Sequence, residues 1–465
     1  MRGGKMARNT IRLSRRRFLK SSSAGAAAIG LPYFVSSSAL GTQGGTGAND
    51  RVHIGLIGTG IRGKYLIASM PDEGRVVAIC DCHLPRTADT LEPRKKRHAK
   101  LLARFRERDA GRCTAYQDYR RMLDEAELDA VMIATPDHHH VLAAMLACQR
   151  GLDLYVEKPL SLTIAEGRAL VEAVKRHKLV CQVGSQNRSM EMNRYACAFV
   201  RSGRLGKISR VQLPSYPGPM RYQRLPEEPV PKGLGWELFC GPTPVRPHNR
   251  KLWVKDQFKI DGKLWRGWDL WRSYSGHLMT NWGAHSVDMV QLALGTDGTG
   301  PVEVWPSTEK HTGSMRFCPV VMRYASGIEL SLELPLAKLN RWLFHGELGL
   351  LSMHRNHFEV DPPELVTDPP DPKVAEIWKG HESVARPHVQ NWLDCIKNRA
   401  TPTVPVEVGH RSVTVCHLAG IARELRRKLR WDPDKERFPD DDEANALFDR
   451  PRRKGFDLPV SGPPS

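Results

Sequence analysis

The sequence predicts an α/β protein in two parts: an N-terminal doubly wound parallel sheet, then an α/β region built on a large, mainly antiparallel open sheet. Three observations carry that prediction. Residues 52–63, Val-His-Ile-Gly-Leu-Ile-Gly-Thr-Gly-Ile-Arg-Gly, run an apolar strand straight into a Gly58-x-Gly60-x-x-Gly63 turn. From there to residue 184, apolar strands alternate with helical stretches, as successive βαβ units require. Beyond Gly206 the texture changes to long alternating apolar and polar runs at 207–216, 302–311, 317–334 and 341–360, the pattern of antiparallel strands with one solvated face.

Each glycine of the turn has a separate task. Gly58 permits the tight passage from strand to helix, Gly60 lets the backbone approach a pyrophosphate, and Gly63 lets the helix lie close to the strand. The helix that opens at Ile61 and Arg62 points its N-terminus at the phosphate charge. A second strand, Arg75 to Cys80, ends on Asp81 about 20 residues after the glycines, where a carboxylate accepts hydrogen bonds from adenosine ribose hydroxyls. Asp81 favours NAD, while Arg86 and the basic run 94–97 leave a 2′-phosphate, and so NADP, open.

The alternation continues with a basic helix at 92–108, a short helix at 116–123, and a strand at 129–135. A helix at 138–150, a strand at 153–157, a helix at 163–177 and a strand at 179–184 complete the sheet. Residues 50–185 therefore read as a dinucleotide-binding domain, 186–430 as a substrate and oligomerisation domain, and 431–465 as a polar, Pro-rich tail that wraps the body. Helices are expected at 280–294, 387–398 and 409–429. An insertion carrying Trp236, Trp253, Trp265, Trp268 and Trp271 offers either sugar-stacking faces or core, and the sequence leaves both readings open.

Ligands of a doubly wound sheet lie beyond the carboxyl ends of its strands, so Thr135-Pro136 and Glu157-Lys158-Pro159 belong at the site with the glycine turn. Lys158 is a cation able to polarise a carbonyl or give a proton to a forming alkoxide. On the helix at 280–294, Asn281, His285 and Asp288 share one face at i, i+4 and i+7. His285 can move a proton near neutral pH, and Asp288 either orients that imidazole or pairs elsewhere. His138-His139-His140 opens a helix, where neighbours point about 100° apart and do not converge on one ion, so no metal site is expected.

The first 49 residues carry separate information. Ser14-Arg15-Arg16-Arg17-Phe18-Leu19-Lys20, followed by an uncharged, small-residue stretch to Leu40, is the pattern of a twin-arginine (Tat) export signal, and it predicts a periplasmic protein. No clean Ala-x-Ala site follows, which leaves an uncleaved, membrane-tethered form open. That pathway exports proteins already folded, so a cofactor can travel inside its protein and is expected to stay bound. Eight of the positive charges behind the net +19 fall within residues 1–49, which hold no acid, leaving +11 for the rest. Basic clusters at 94–108, 423–430 and 450–454 have helical spacing and read as solvated faces, not as a nucleic-acid surface. The ten cysteines are scattered and read as small buried apolar residues.

Taken together, Gly58-Thr-Gly60-Ile-Arg-Gly63, Ala134-Thr-Pro-Asp-His-His-His140, Glu157-Lys-Pro159, Gly184-Ser-Gln186 and Asn281-Trp-Gly-Ala-His-Ser-Val-Asp288 resemble the Gfo/Idh/MocA family, the glucose-fructose oxidoreductase and inositol dehydrogenase group. The twin-arginine signal, the Trp-rich insertion and the tail Trp431-Asp-Pro-Asp-Lys-Glu-Arg-Phe438 resemble its secreted branch. The resemblance implies a Rossmann domain, then an α/β domain whose open sheet mediates a homodimer or homotetramer. It implies Lys158 and His285 in the substrate pocket, and Thr135, His140, Glu157 and Gln186 near the cofactor. The chain departs from the family at Asn281, where the dehydrogenase pattern carries aspartate. An amide accepts no proton, so Lys158 and His285 remain the acid/base candidates. The reading that follows is hydride transfer between a carbohydrate carbinol carbon and a tightly held nicotinamide. Redox-neutral glycoside cleavage and a non-catalytic, NAD-containing sugar-binding protein are the alternatives.

Overall fold

The computed structural model describes residues 51–253, 258–260, 263–265, 267–308, 311–336, 341–378 and 385–459. The twin-arginine segment lies outside them, as does the side chain of Trp265. Residues 52–57, 74–80, 114–116, 130–133, 153–156 and 181–183 form strands β1 to β6 of a parallel sheet with spatial order β3-β2-β1-β4-β5-β6. The order reverses between β1 and β4, and a doubly wound sheet takes its ligand at that crevice. Strands β4 and β5 are buried along their whole length, because helices cover both faces. The principal helices of this half are α1 (Ile61–Ala68), α2 (Asp137–Gln149) and α3 (Ile164–His177). Helix α3 begins where the Thr163 hydroxyl oxygen accepts the Glu166 amide and stops at left-handed Lys178.

The second sheet contains β7 (Ile208–Pro214), β10 (Pro301–Pro306), β11 (Val320–Tyr324), β12 (Glu329–Leu334), β13 (Trp342–Gly346), β14 (Leu350–His354), β15 (His357–Asp361) and β16 (Leu429–Arg430). A separate small ribbon pairs β8 (Phe258–Ile260) with β9 (Lys263–Trp265). The eight strands lie in the order β15-β14-β13-β7-β12-β11-β10-β16, antiparallel except for the parallel pair β7–β12. Two of the long runs expected from alternation are broken by turns. The run 317–334 becomes β11 and β12, turning at Gly327 (φ 86°), and the run 341–360 becomes β13, β14 and β15, the last two joined through Arg355 and Asn356 (φ 57°). Alternation carries across a tight turn, so the period alone hides it.

The basic helix expected at 92–108 is two short helices, 96–101 and 103–108, meeting at fully buried Leu102. The helix expected at 280–294 is also divided, into Leu278–Asn281 and α5 (Gly283–Leu294). Helix α4 (Glu191–Arg201) carried no expectation from the sequence.

One face of the second sheet packs Val211, Leu213, Leu332, Phe344 and Met353 against α4, α5 and the later turns of α7 (Val406–Leu425). Helix α6 (Arg386–Asn398) returns to the first half, where Val389, Trp392 and Leu393 share a core with Ile54, Leu66 and Val76. Val406 and Val413 of α7 join Ile57, Val131 and Val183 in a neighbouring core. A boundary at residue 185 thus separates the sheets but not the cores, and α7 belongs to both. The tail is pinned by Trp431 and Phe438 in the second core and by Glu436, which pairs with Arg168 and His410 at 2.7 Å each. All ten cysteines are free thiols.

Candidate active site

A continuous cavity of about 1490 Å³ opens at the carboxyl ends of β1, β2, β4 and β5. Gly58, Gly60, Ile61, Arg62, Asp81, Thr135, Pro136, Glu157, Lys158, Gln186, Asn281 and His285 all line it, so the structure brings together segments more than 200 residues apart. Gly63 and His140 stand behind the wall. A Cβ on Gly63 would lie 2.0 Å from the Gly58 carbonyl oxygen, and Gly58 itself sits at φ 97°. Gly60 differs: a Cβ there would meet nothing within 4 Å, although this glycine opens α1 with no side-chain cap. The gap over Gly60 fits a ligand that approaches the backbone and the helix N-terminus, as a pyrophosphate does. Thr135 Oγ1, Trp253 Nε1 and His285 Nδ1 are buried in the same wall without hydrogen-bond partners among the described residues, which fits a polar occupant. His140 bridges the two strand-end loops, its ring nitrogens 2.9 Å from the Thr135 oxygen and 2.7 Å from the Pro159 oxygen.

Around Asp81 the cavity is closed by the tryptophan-bearing insertion. Asp81 Oδ2 accepts the Thr59 amide at 3.0 Å and Oδ1 accepts the His83 amide at 2.9 Å, fixing the carboxylate in the wall. Two backbone bonds, Leu84 amide to Gly233 oxygen (2.9 Å) and Gly235 amide to Cys82 oxygen (2.8 Å), tie the insertion to the loop after β2. Trp253 lies over this junction, with the Arg86 guanidinium 5.2 Å from its ring centre and His83 edge-on at 5.1 Å. On α2, His138 and His139 each place Nε2 within hydrogen-bonding distance of the Phe239 carbonyl oxygen, at 2.8 and 2.9 Å. Burial holds both imidazoles below their usual pKa, His139 at about 4.

At the other end, Lys158 Nζ donates to Asn281 twice, to Oδ1 at 2.7 Å and to the backbone oxygen at 3.1 Å. The break between the Leu278–Asn281 helix and α5 leaves that backbone oxygen available to receive a side chain. His285 faces the cavity, and neither ring nitrogen has a hydrogen-bond partner among the described residues. Burial, then the positive fields of Lys158, Arg355 and Arg62, hold its pKa well below the usual imidazole value. Asp288 does not orient it. That carboxylate is fully buried, accepting Arg188 Nε at 2.9 Å and the Ser412 hydroxyl at 2.8 Å, which makes it a structural ion pair. Glu157 pairs with Arg62 at 2.7 Å and occupies the space that a side chain on Gly184 would take.

Several lining residues carried no signal in the sequence. Arg355 sits in the β14–β15 turn, Phe456 in the tail, and Leu238 and Phe239 in the insertion. The tryptophans serve both readings: Trp236, Trp253 and Trp271 are buried in one core, Trp236 and Trp271 bonding the Arg246 and Lys251 carbonyls, while Trp253 and half-buried Trp268 also line the cavity.

Comparison with known proteins places both halves. Residues 52–185 match the model of the oxidoreductase family NAD-binding Rossmann fold, and residues 219–458 match that of the oxidoreductase family C-terminal alpha/beta domain, both of the Gfo/Idh/MocA group. Levoglucosan dehydrogenase of Pseudarthrobacter phenanthrenivorans is 29% identical over 160 residues, 34% of this chain and 39% of that protein. A glycosyl hydrolase family 109 protein of Stenotrophomonas maltophilia is 29% identical over 160 residues, 33% of this chain and 31% of that one. The chain therefore spans only about a third of the length of such curated relatives. Among solved structures, the WlbA dehydrogenase of Bordetella pertussis, in complex with NADH and UDP-GlcNAcA, shares the fold at a TM-score of 0.56 and 16% identity, covering 83% of this chain and 99% of that one. Levoglucosan dehydrogenase in complex with NADH and levoglucosan gives 0.54 and 17%, covering 82% and 99%.

Proposed function

From the premise that the chain belongs to the Gfo/Idh/MocA oxidoreductase family, we propose that it transfers hydride between a hydroxyl-bearing carbon of a sugar or sugar derivative and a retained nicotinamide cofactor, NAD in preference to NADP. One observation carries this reading: Lys158, held by both oxygens of Asn281, shares the wall of the glycine-turn cavity with an imidazole kept neutral one turn further on.

The turn from Gly58 to Gly63 and the N-terminus of α1 would hold the phosphates, and Asp81 the adenosine ribose. When bound, the cofactor supplies the carbon that takes or returns hydride. The protein's own groups handle the proton. Lys158, aimed by its two hydrogen bonds to Asn281, sets its positive charge beside the substrate oxygen and stabilises the negative charge that develops there. His285, neutral and without a hydrogen-bond partner among the described residues, takes the hydroxyl proton. Asn281 moves no proton and acts by aiming Lys158. Trp268 and Trp282 supply apolar faces for the sugar ring.

The export pattern at Ser14–Lys20 supports a periplasmic setting, where a lost cofactor is not readily replaced. Net oxidation there requires a second, sugar-like substrate that reoxidises the bound cofactor, or delivery of its electrons elsewhere. Asn281 and the glycosyl hydrolase relatives favour a second reading, in which transient oxidation beside a glycosidic carbon is followed by elimination and return of the hydride. We also take the open face of the second sheet as the contact of a homodimer or homotetramer.

The experiment is to recover the protein from the periplasmic fraction, release its nucleotide by denaturation, and identify it by mass spectrometry. The intact protein is then mixed with free sugars and with aryl glycosides. Stoichiometric nucleotide and sugar-dependent NADH absorbance support the first reading, and glycoside cleavage without net NADH supports the second. A protein without nucleotide affinity removes both.

A further inference from the structure

We propose that Arg355 is an anion subsite at the substrate end of the cavity, and that the substrate is a sugar acid whose carboxylate it binds; this rests on the oxidoreductase reading of the same cavity. The guanidinium is held in place. With the Gln186 amide oriented to satisfy its neighbours, its nitrogen donates to the Gly184 carbonyl at 2.7 Å and its oxygen accepts Arg355 Nη2 at 3.0 Å. The turn that carries Arg355 is anchored as well: the Asn356 amide donates at 2.8 Å to Oδ1 of Asn193, a fully buried residue whose own amide group donates to the Asn187 oxygen at 3.1 Å. An arginine at a hairpin tip is ordinarily mobile. This one is positioned from two sides by the segment that follows β6.

Among the described residues Arg355 has no carboxylate partner, in contrast to Arg62, Arg168, Arg188 and Arg204. The acids that line the cavity are engaged elsewhere: Glu157 by Arg62, Asp81 by Thr59 and His83, Asp89 by His98, Asp118 by Arg120, and Asp137 by the Ser275 hydroxyl. Asp269 lies 3.9 Å from His277 on the aromatic wall. Arg355 and Lys158 therefore face the same space as cations with no lining acid committed to Arg355. A planar guanidinium with a free edge matches a carboxylate through two parallel hydrogen bonds. A carboxylate there also offsets the field that suppresses the basicity of His285, so the proton acceptor strengthens when the acid substrate arrives.

The test uses the intact, nucleotide-loaded protein, with D-glucuronate, D-galacturonate and D-gluconate set against D-glucose and D-galactose. Binding is read by calorimetry and the reaction by NADH absorbance in a single turnover. We expect at least one acid to be preferred over its neutral counterpart by about 30-fold or more, the scale of hydrogen bonds to a charged group. Arg355→Gln should remove most of that preference through KM, Arg355→Lys should keep part of it, and both should retain the nucleotide. Equal use of neutral and acid sugars overturns the proposal, as does a panel in which no acid binds. Loss of nucleotide from Arg355→Gln with the preference intact also overturns it, by assigning the guanidinium to a cofactor phosphate. Arg355-dependent binding of acids without nicotinamide reduction by any sugar would keep the subsite and remove the oxidoreductase reading.

Discussion

The two ends of the cavity are built in opposite ways. Around Gly58–Gly63 and Asp81 the site is made of backbone, within one βαβ unit: a carbonyl that tolerates no Cβ, a helix N-terminus, and a carboxylate fixed by two amides. Around Lys158 it is made of side chains drawn from the β5 loop, the segment after β6, the broken helix before α5, and the β14–β15 turn. Damage to the first end should therefore appear as lost nucleotide or lost fold, and damage to the second as lost chemistry in a protein that is otherwise sound.

Gly63→Val tests the first half of that contrast at its strongest. A Cβ 2.0 Å from the Gly58 oxygen forces the strand and helix apart, and we expect no recoverable nucleotide and a destabilisation of about 3 kcal/mol or more by denaturant titration. Gly60→Ala is its control, because the added methyl meets no protein atom. Stability should hold within about 1 kcal/mol, while nucleotide affinity falls roughly tenfold as the methyl enters space meant for the phosphates. Equal destabilisation by both would show that the gap over Gly60 is not a ligand site.

Lys158→Ala breaks the other end. The single-turnover rate should fall about 10³-fold, the scale of a lost acid/base or oxyanion-stabilising group, with nucleotide content and melting temperature nearly unchanged. A variant that loses nucleotide in step with activity would show that Lys158 serves the cofactor and that the two ends are not separable.

The same contrast explains what the sequence revealed. The glycine turn, Asp81 and five of the six parallel strands follow from local pattern, since the constraints on Gly58 and Gly63 are imposed within one strand-turn-helix unit or by the adjoining β4 end. Strand β3, three residues long and mostly exposed, carries no apolar run and was missed beside the helix expected at 116–123. Lys158 and His285 were legible because strand ends and helical spacing restrict where such residues point. Arg355 was not, because its place depends on a turn hidden inside a continuous alternation and on Asn193, 163 residues earlier than Asn356 in the chain. Asp288 shares a helix face with His285 as spacing requires, but its partner, Arg188, lies 100 residues away. Spacing shows a shared face and not the neighbour across it.

Acid should loosen both ends. His138 and His139 hold α2 to the insertion, His388 supports the floor behind Glu157, and burial lowers the pKa of all three, the last two to about 4. The folded state then binds fewer protons than the unfolded chain, whose imidazoles titrate near 6.5. The stability these residues contribute is complete above about pH 6.5 and is lost as the pH falls from there through about 4, on the order of 3 kcal/mol for each of His139 and His388. The melting temperature should be flat above about pH 7 and decline steadily below 6.5. A curve flat down to pH 4 would show that these imidazoles are not neutral donors in the folded protein.

The smallest effect is expected where the two halves meet. Trp253 belongs to the insertion yet packs on Arg86 and His83, beside the carboxylate that receives the ribose. The backbone bonds at Gly233 and Gly235 already join these segments, so Trp253→Ala, although it empties a buried place in the insertion's core, should leave the clasp itself in place. Nucleotide dissociation, followed by the loss of bound-nucleotide fluorescence in the presence of a scavenging enzyme, should quicken about tenfold, the scale of one cation–π and stacking contact. The single-turnover rate of protein that still holds its cofactor should not change. If the rate falls while dissociation does not, Trp253 shapes the reacting end, and the division between a backbone-built cofactor end and a side-chain-built chemical end fails at this residue.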